Sequence, residues 1–171
     1  MCTKQEDTPG VTPGVAVYFR KGPIEMPFIV WTSELSVDVK MLDNDHKRLA
    51  ILVNDLHEGL MAGRDSKDLE RILNELVAYS RLHFANEEHF LAEAGYSGAA
   101  AHKQEHEQKI KQILVLQARF LSAKESADYL EVLDQLKHWL FSHIEHSDKE
   151  FVAHLKATGV DSTLATWDEP K

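Results

Sequence analysis

The stretch SKDLERILNELVAYSRLHFANEEHFLAEAG, residues 66–95, decides how the chain folds. Leu69, Leu73, Leu76, Ser80, His83, Glu87 and Phe90 recur at intervals of three and four, so they share one face of a helix. Ser66 is placed to cap its start and Gly95 to stop it. The face is aliphatic toward Leu69 and carries His83 and Glu87, one turn apart, toward its other end. An aliphatic stripe needs a hydrophobic core to bury against. An imidazole and a carboxylate on that stripe need a partner inside the core.

Three further stripes flank this one. His46, Leu49, Val53, Leu56 and Leu60 precede it and end near Gly63. His102, His106, Ile110, Ile113 and Phe120 follow it. Tyr129, Leu133, Leu136, Leu140 and His143 form the last, which extends to Leu155 before Gly159. Connections of a few residues force neighbouring helices to run antiparallel. The pattern predicts an all-α fold, an up-down-up-down antiparallel four-helix bundle over residues 31–158. Pro9, Pro13, Pro23 and Pro27 lie ahead of it, and no proline occurs between Phe28 and Glu169. Residues 1–30 therefore read as an irregular N-terminal arm, with Val15–Phe19 as a candidate short strand. Residues 159–171 read as a C-terminal tail whose Trp167 is a candidate to pack back on the bundle.

Composition narrows the function. A formal charge of −9, without a long basic run, disfavours nucleic acid as a partner. No apolar run approaches the roughly 20 residues of a membrane span. The N-terminus lacks the basic and apolar regions of a secretory signal, so the expected address is cytoplasmic. Cys2 is the sole cysteine, which excludes an intrachain disulfide and a cysteine-built metal cage. A metal here must use nitrogen and oxygen ligands, and ten histidines are available.

Their heights along the bundle agree. From His46 to the turn near Gly63 is about 17 residues, and from there back to His83 about 18, so both lie at one level at ~1.5 Å per residue. His106 and His143 match in the same way about the turn near Ala123. His83 and Glu87 approach Gly95 as His102 and His106 leave it. All four helices thus bring ligands to one layer. A lone histidine on an apolar face is usually a hydrogen-bonded core residue, but five with a glutamate in one layer share a common partner. Imidazole with carboxylate suits iron, zinc or copper, and spacing does not choose among them.

Several segments are similar to those of bacterial hemerythrins. DNDHK (43–47) resembles their acidic–His–Lys opening, and HFANEE (83–88) resembles the HFxxEE signature. Gly95-Tyr96 with HKQEH (102–106), and WLFSHI (139–144) with Asp148, resemble the later motifs. Trp31 stands where the family usually has a tryptophan. The likeness covers roughly residues 31 to 155. It implies two irons joined by an oxo or hydroxo bridge, with His102, His106 and His143 on one and His46 and His83 on the other. Glu87 and Asp148 would bridge them. Asp148 rests on the resemblance and on the need for a second carboxylate. Five residues after His143, it would point about 140° away on an ideal helix, and periodicity alone nominates His146 or Ser147. His57, His89, His138, His146 and His154 read as surface or boundary residues.

The resemblance implies reversible O2 binding at the open position of the iron held by His46 and His83, for storage, delivery or scavenging, and no catalytic turnover. Carboxylate-rich di-iron oxidases use ExxH motifs, whereas this chain has HxxxE. Val53, Phe84, Leu140 and Ile144 are expected to line a dry O2 pocket. The alternatives are a sensing module, with the N-terminal arm as a docking element for a protein partner, and a di-iron enzyme acting on peroxide or nitric oxide.

Overall fold

The computed structural model describes residues 26–159; the candidate strand at Val15–Phe19 and Trp167 lie outside the described residues. The described residues form four long helices: α1 (Lys40–Met61), α2 (Ser66–Glu93), α3 (Ala99–Ser122) and α4 (Ser126–His143). A five-residue π-turn, Ile144–Asp148, joins α4 to α5 (Lys149–Thr158). Each helix packs on the next and α1 closes against α4, giving the four-helix bundle that the hydrophobic stripes predict.

The turns explain themselves locally. Gly63 and Gly95 adopt φ of 65° and 64°, the left-handed geometry that lacks steric cost only without a Cβ. At each, the amide of the following residue returns to the helix: Arg64 N–H to the Gly59 carbonyl at 2.9 Å, Tyr96 N–H to the Leu91 carbonyl at 3.0 Å. The start of α2 differs from the sequence expectation. Asp65, not Ser66, is the cap, and its carboxylate accepts from the Asp68 amide at 2.9 Å. Ser66 is the first helical residue. Both are good capping types, and the extended backbone of Asp65 (φ −69°, ψ 162°) decides between them.

Entry into α1 is fastened by Asp43. Its carboxylate accepts from the Val37 amide at 2.9 Å and the Ser36 hydroxyl at 2.6 Å. Leu52, Val53, Leu56, Leu76, Leu133 and Leu136 are fully buried and fill the bundle on one side of the polar layer. Phe90, Leu91, Phe151, Val152 and Leu155 close the other side. The layer is thereby sealed between two apolar plugs.

Candidate metal centre

His46, His83, Glu87, His102, His106, His143 and Asp148 converge in the bundle interior, and none is more than 7% exposed. The imidazoles present Nε2 to the two carboxylates. His46 Nε2 lies 3.0 Å from Asp148 Oδ2, and His143 Nε2 lies 3.2 Å from Asp148 Oδ1. Around Glu87 the spacings are 3.5 Å from His102, 3.4 Å from His106, and 3.7 Å from both His83 and His143. Ligands about 2.0–2.2 Å from one ion and about 90–110° apart would be separated by about 3.0–3.6 Å, so most of these spacings suit cation sharing.

Hydrogen bonding tests that fit. Buried side-chain nitrogens and oxygens in proteins are almost always partnered. Among the described residues, every buried side-chain N or O atom without a hydrogen-bond partner belongs to these seven residues, eleven atoms in all. They include all five Nε2 atoms and both oxygens of Glu87 and Asp148. Leaving each unsatisfied would cost about 1–3 kcal/mol. The donor set is the one a divalent cation would satisfy.

Two overlapping groups of ligand atoms each lie within 4.8 Å: Glu87, His102, His106 and His143, and His83, Glu87, His143 and Asp148. The first brings together Glu87 and the three histidines that the resemblance assigns to one iron. The second contains His143 beside His83, while His46 stands outside it and reaches the cluster through Asp148.

The π-turn accounts for Asp148. Its i→i+5 repeat returns the fifth residue to the starting face, so Asp148 falls beside His143 instead of rotating away. The two alternatives from periodicity do other work. His146 is exposed and its Nδ1 lies 2.9 Å from the Ser142 carbonyl, whereas Ser147 donates to Glu105.

Electrostatics in the metal-free chain follow from this crowding. Burial alone would raise the Glu87 carboxyl, yet the facing imidazoles of His102, His106 and His143 hold it well below the usual range. Burial opposes the charged form of His143, but Asp148, Glu105 and Glu87 override it and push the imidazole up to about 10. His83 goes the other way: burial outweighs its contact with Asp45 and lowers it.

The four residues expected to line a pocket are buried. The Phe84 ring stacks on His106 with centroids 4.0 Å apart and meets His143 at 5.0 Å. Trp31 lies over His46 at 6.3 Å. None of the five remaining histidines is buried; His57 stacks on Phe28, and His154 meets Tyr96 edge to face. Spacing overlooked a set of carboxylates, Asp45, Glu88 and Glu105, that face the Nδ1 sides of His83, His106 and His143. The signal that could have found them is adjacency, since each stands next to a cluster residue in the chain.

The Hemerythrin HHE cation binding domain matches residues 37–155, more than half of the chain. The chain belongs to the hemerythrin family. It is 35% identical over 127 residues to a bacteriohemerythrin of Pseudomonas aeruginosa, covering 74% of this chain and 81% of that protein. A bacteriohemerythrin of Stenotrophomonas maltophilia is 33% identical over 132 residues, 77% of this chain and 84% of its own length. A crystal structure of wild-type hemerythrin superposes with a TM-score of 0.63 at 29% identity, covering 74% of this chain and 96% of that one. The hemerythrin match spans the polar layer and all seven residues that build it. Among the described residues, no helix is long and apolar enough to cross a membrane.

Proposed function

We propose that this chain binds O2 reversibly at a non-haem di-iron centre, with His102, His106 and His143 on one iron, His46 and His83 on the other, and Glu87 and Asp148 bridging. The observation that carries the reading is the confinement of the buried, partnerless polar atoms to these seven residues. Membership of the hemerythrin family supports iron as the metal.

With three imidazoles holding one iron and two holding the other, the second iron would have room for a small ligand. Five neutral imidazoles and two carboxylates carry a charge of about −2, which leaves a ferrous pair modestly positive. When bound, the iron pair supplies the electrons that O2 takes up on binding and gives back on release. The chain's own side chains hold the geometry and keep water away. Phe84 covers His106 and His143, and Val53, Leu140 and Ile144 contribute apolar bulk in the same core. Exclusion of water and external acid favours release of O2 over its consumption. In this reading residues 31–158 form the O2-binding unit, residues 1–30 and 159–171 are appendages, and the protein is a carrier with no catalytic turnover.

The test is anaerobic iron loading, metal analysis, and repeated cycles of air and vacuum under a visible spectrophotometer. Two irons per chain and a colour that comes and goes with O2 are expected. Fewer than two irons, or unchanging spectra, would overturn the proposal. A single irreversible change with steady oxidant consumption would replace the carrier with a di-iron enzyme.

A further inference from the structure

Three carboxylates beside the cluster run round the bundle in one direction. Asp45 is adjacent to His46 on α1, yet its Oδ2 lies 3.4 Å from Nδ1 of His83 on α2, and Tyr79 donates to its Oδ1 at 2.7 Å. Glu88 is adjacent to Glu87 on α2, yet its Oε1 lies 3.1 Å from Nδ1 of His106 on α3, and Lys103 pairs with its Oε2 at 3.0 Å. Glu105 is adjacent to His106 on α3, and its Oε1 lies 3.8 Å from Nδ1 of His143 on α4, longer than a hydrogen bond. Ser147 donates to that same oxygen. Nδ1 of His143 and Nδ1 of His46 are both buried without a hydrogen-bond partner. His143 Nδ1 has the Glu105 carboxylate at 3.8 Å, whereas, among the described residues, no carboxylate faces His46 Nδ1, so the return link from α4 to α1 is open.

An imidazole that gives Nε2 to a metal carries its proton on Nδ1. A carboxylate waiting at Nδ1 fixes that tautomer, sets the ring orientation and strengthens the nitrogen as a ligand. A residue next to a ligand on a helix points about 100° away from it, hence toward the neighbouring helix and not into the centre. We infer that Asp45, Glu88 and Glu105 are positioning residues, each holding the metal-binding tautomer of a histidine on the next helix, with the ring left open at His46. This rests on the reading of the seven residues as metal ligands through Nε2.

The experiment uses the full chain loaded with zinc, which is diamagnetic and lets the histidine ring protons be read by nuclear magnetic resonance. Asp45→Asn, Glu88→Gln and Glu105→Gln are compared with Glu93→Gln, an exposed acidic position on α2 away from the centre. Each of the three is expected to weaken zinc affinity by about 10–100-fold in competition titrations, and Glu93→Gln to leave it unchanged. Each is also expected to move the Nδ1–H resonance of its own partner alone: His83, His106 and His143 respectively. Should Asp45→Asn fail to fold, Tyr79→Phe removes only the hydroxyl that steers Asp45 and is expected to move the same His83 resonance. A wild-type chain that binds two zinc ions, with variants matching it in affinity and ring-proton shifts, overturns this inference alone. A wild-type chain that takes up no zinc through Nε2 overturns the reading of the site as well.

Discussion

Deleting one exposed residue, Glu145 or His146, from the π-turn tests the account of Asp148 most directly. On an α-helix each residue advances about 100°, so the fifth residue after His143 lies about 140° away and the fourth about 40°. The π-turn returns the fifth residue to 3.2 Å from His143 Nε2. With one residue removed, the aspartate becomes the fourth residue of a plain α-helix and still faces inward, about 6 Å along the axis. Phe151, Val152 and Leu155, all buried, keep their side. Inserting an alanine after His146 instead rotates everything beyond it by about 100°. That carries Asp148 off the cluster and the three apolar side chains off the core. At about 1.5–3 kcal/mol each, the loss is about 5–9 kcal/mol, comparable with the whole stability of a small domain. Thermal melts with metal analysis read both effects. The deletion is expected to keep two metals and a melting temperature near the parent's, and the insertion to lose both. A deletion variant as metal-free as the insertion variant would refute the argument, because angular register would then not be what places Asp148.

Removing the metal with a chelator should lower the melting temperature by about 5–10 °C when the loaded reference is saturated to about 100 times Kd, a difference of about 2.7 kcal/mol. No shift in calorimetry would mean the nine partnerless Nε2 and carboxylate oxygen atoms have another source of satisfaction. The metal-free chain should also lose stability on the alkaline side. His143, at about 10 in the folded chain against an ordinary 6.5, contributes stability that is full below 6.5 and lost as pH rises through 10. Denaturant titrations from pH 6.5 to 10 should show that decline in the parent and little of it in His143→Gln. On the acid side Glu105, held at about 2 mainly by His143, contributes stability present above 4.5 and lost as pH falls toward 2. Asp43→Ala strands the Val37 amide and should cost about 1–3 kcal/mol in urea unfolding while leaving metal stoichiometry at two. A matching loss of metal would show that the entry turn and the centre are one unit.

The bundle and six members of the polar layer were legible in the chain because helical period and equal height are geometric facts that survive without coordinates. Leu69 to Phe90 and His46 to Leu60 could pack inward in one way only. Asp148 was not legible by that route, since a π-turn breaks the 3.6 period and nothing in Ile144–Asp148 announces it. The Asp65 cap was missed for a smaller reason: two adjacent residues were both competent, and backbone geometry chose. The carboxylates at Asp45, Glu88 and Glu105 lie off the buried stripes, where a one-dimensional pattern reads an acidic residue as solvated surface.

The ligand layer draws on every helix of the bundle, and its outermost members, His46 and Asp148, are far apart in sequence. A metal pair held there would act as a covalent staple does, closing a loop of about 100 residues between α1 and the π-turn after α4. In the chain-entropy account a cross-link over that span disfavours the unfolded ensemble by about 4–5 kcal/mol. The staple is reversible, and the helices cannot separate until it opens. For the loaded protein, persistence against heat or proteolysis is then timed by the departure of the ions and not by the fraying of any one helix.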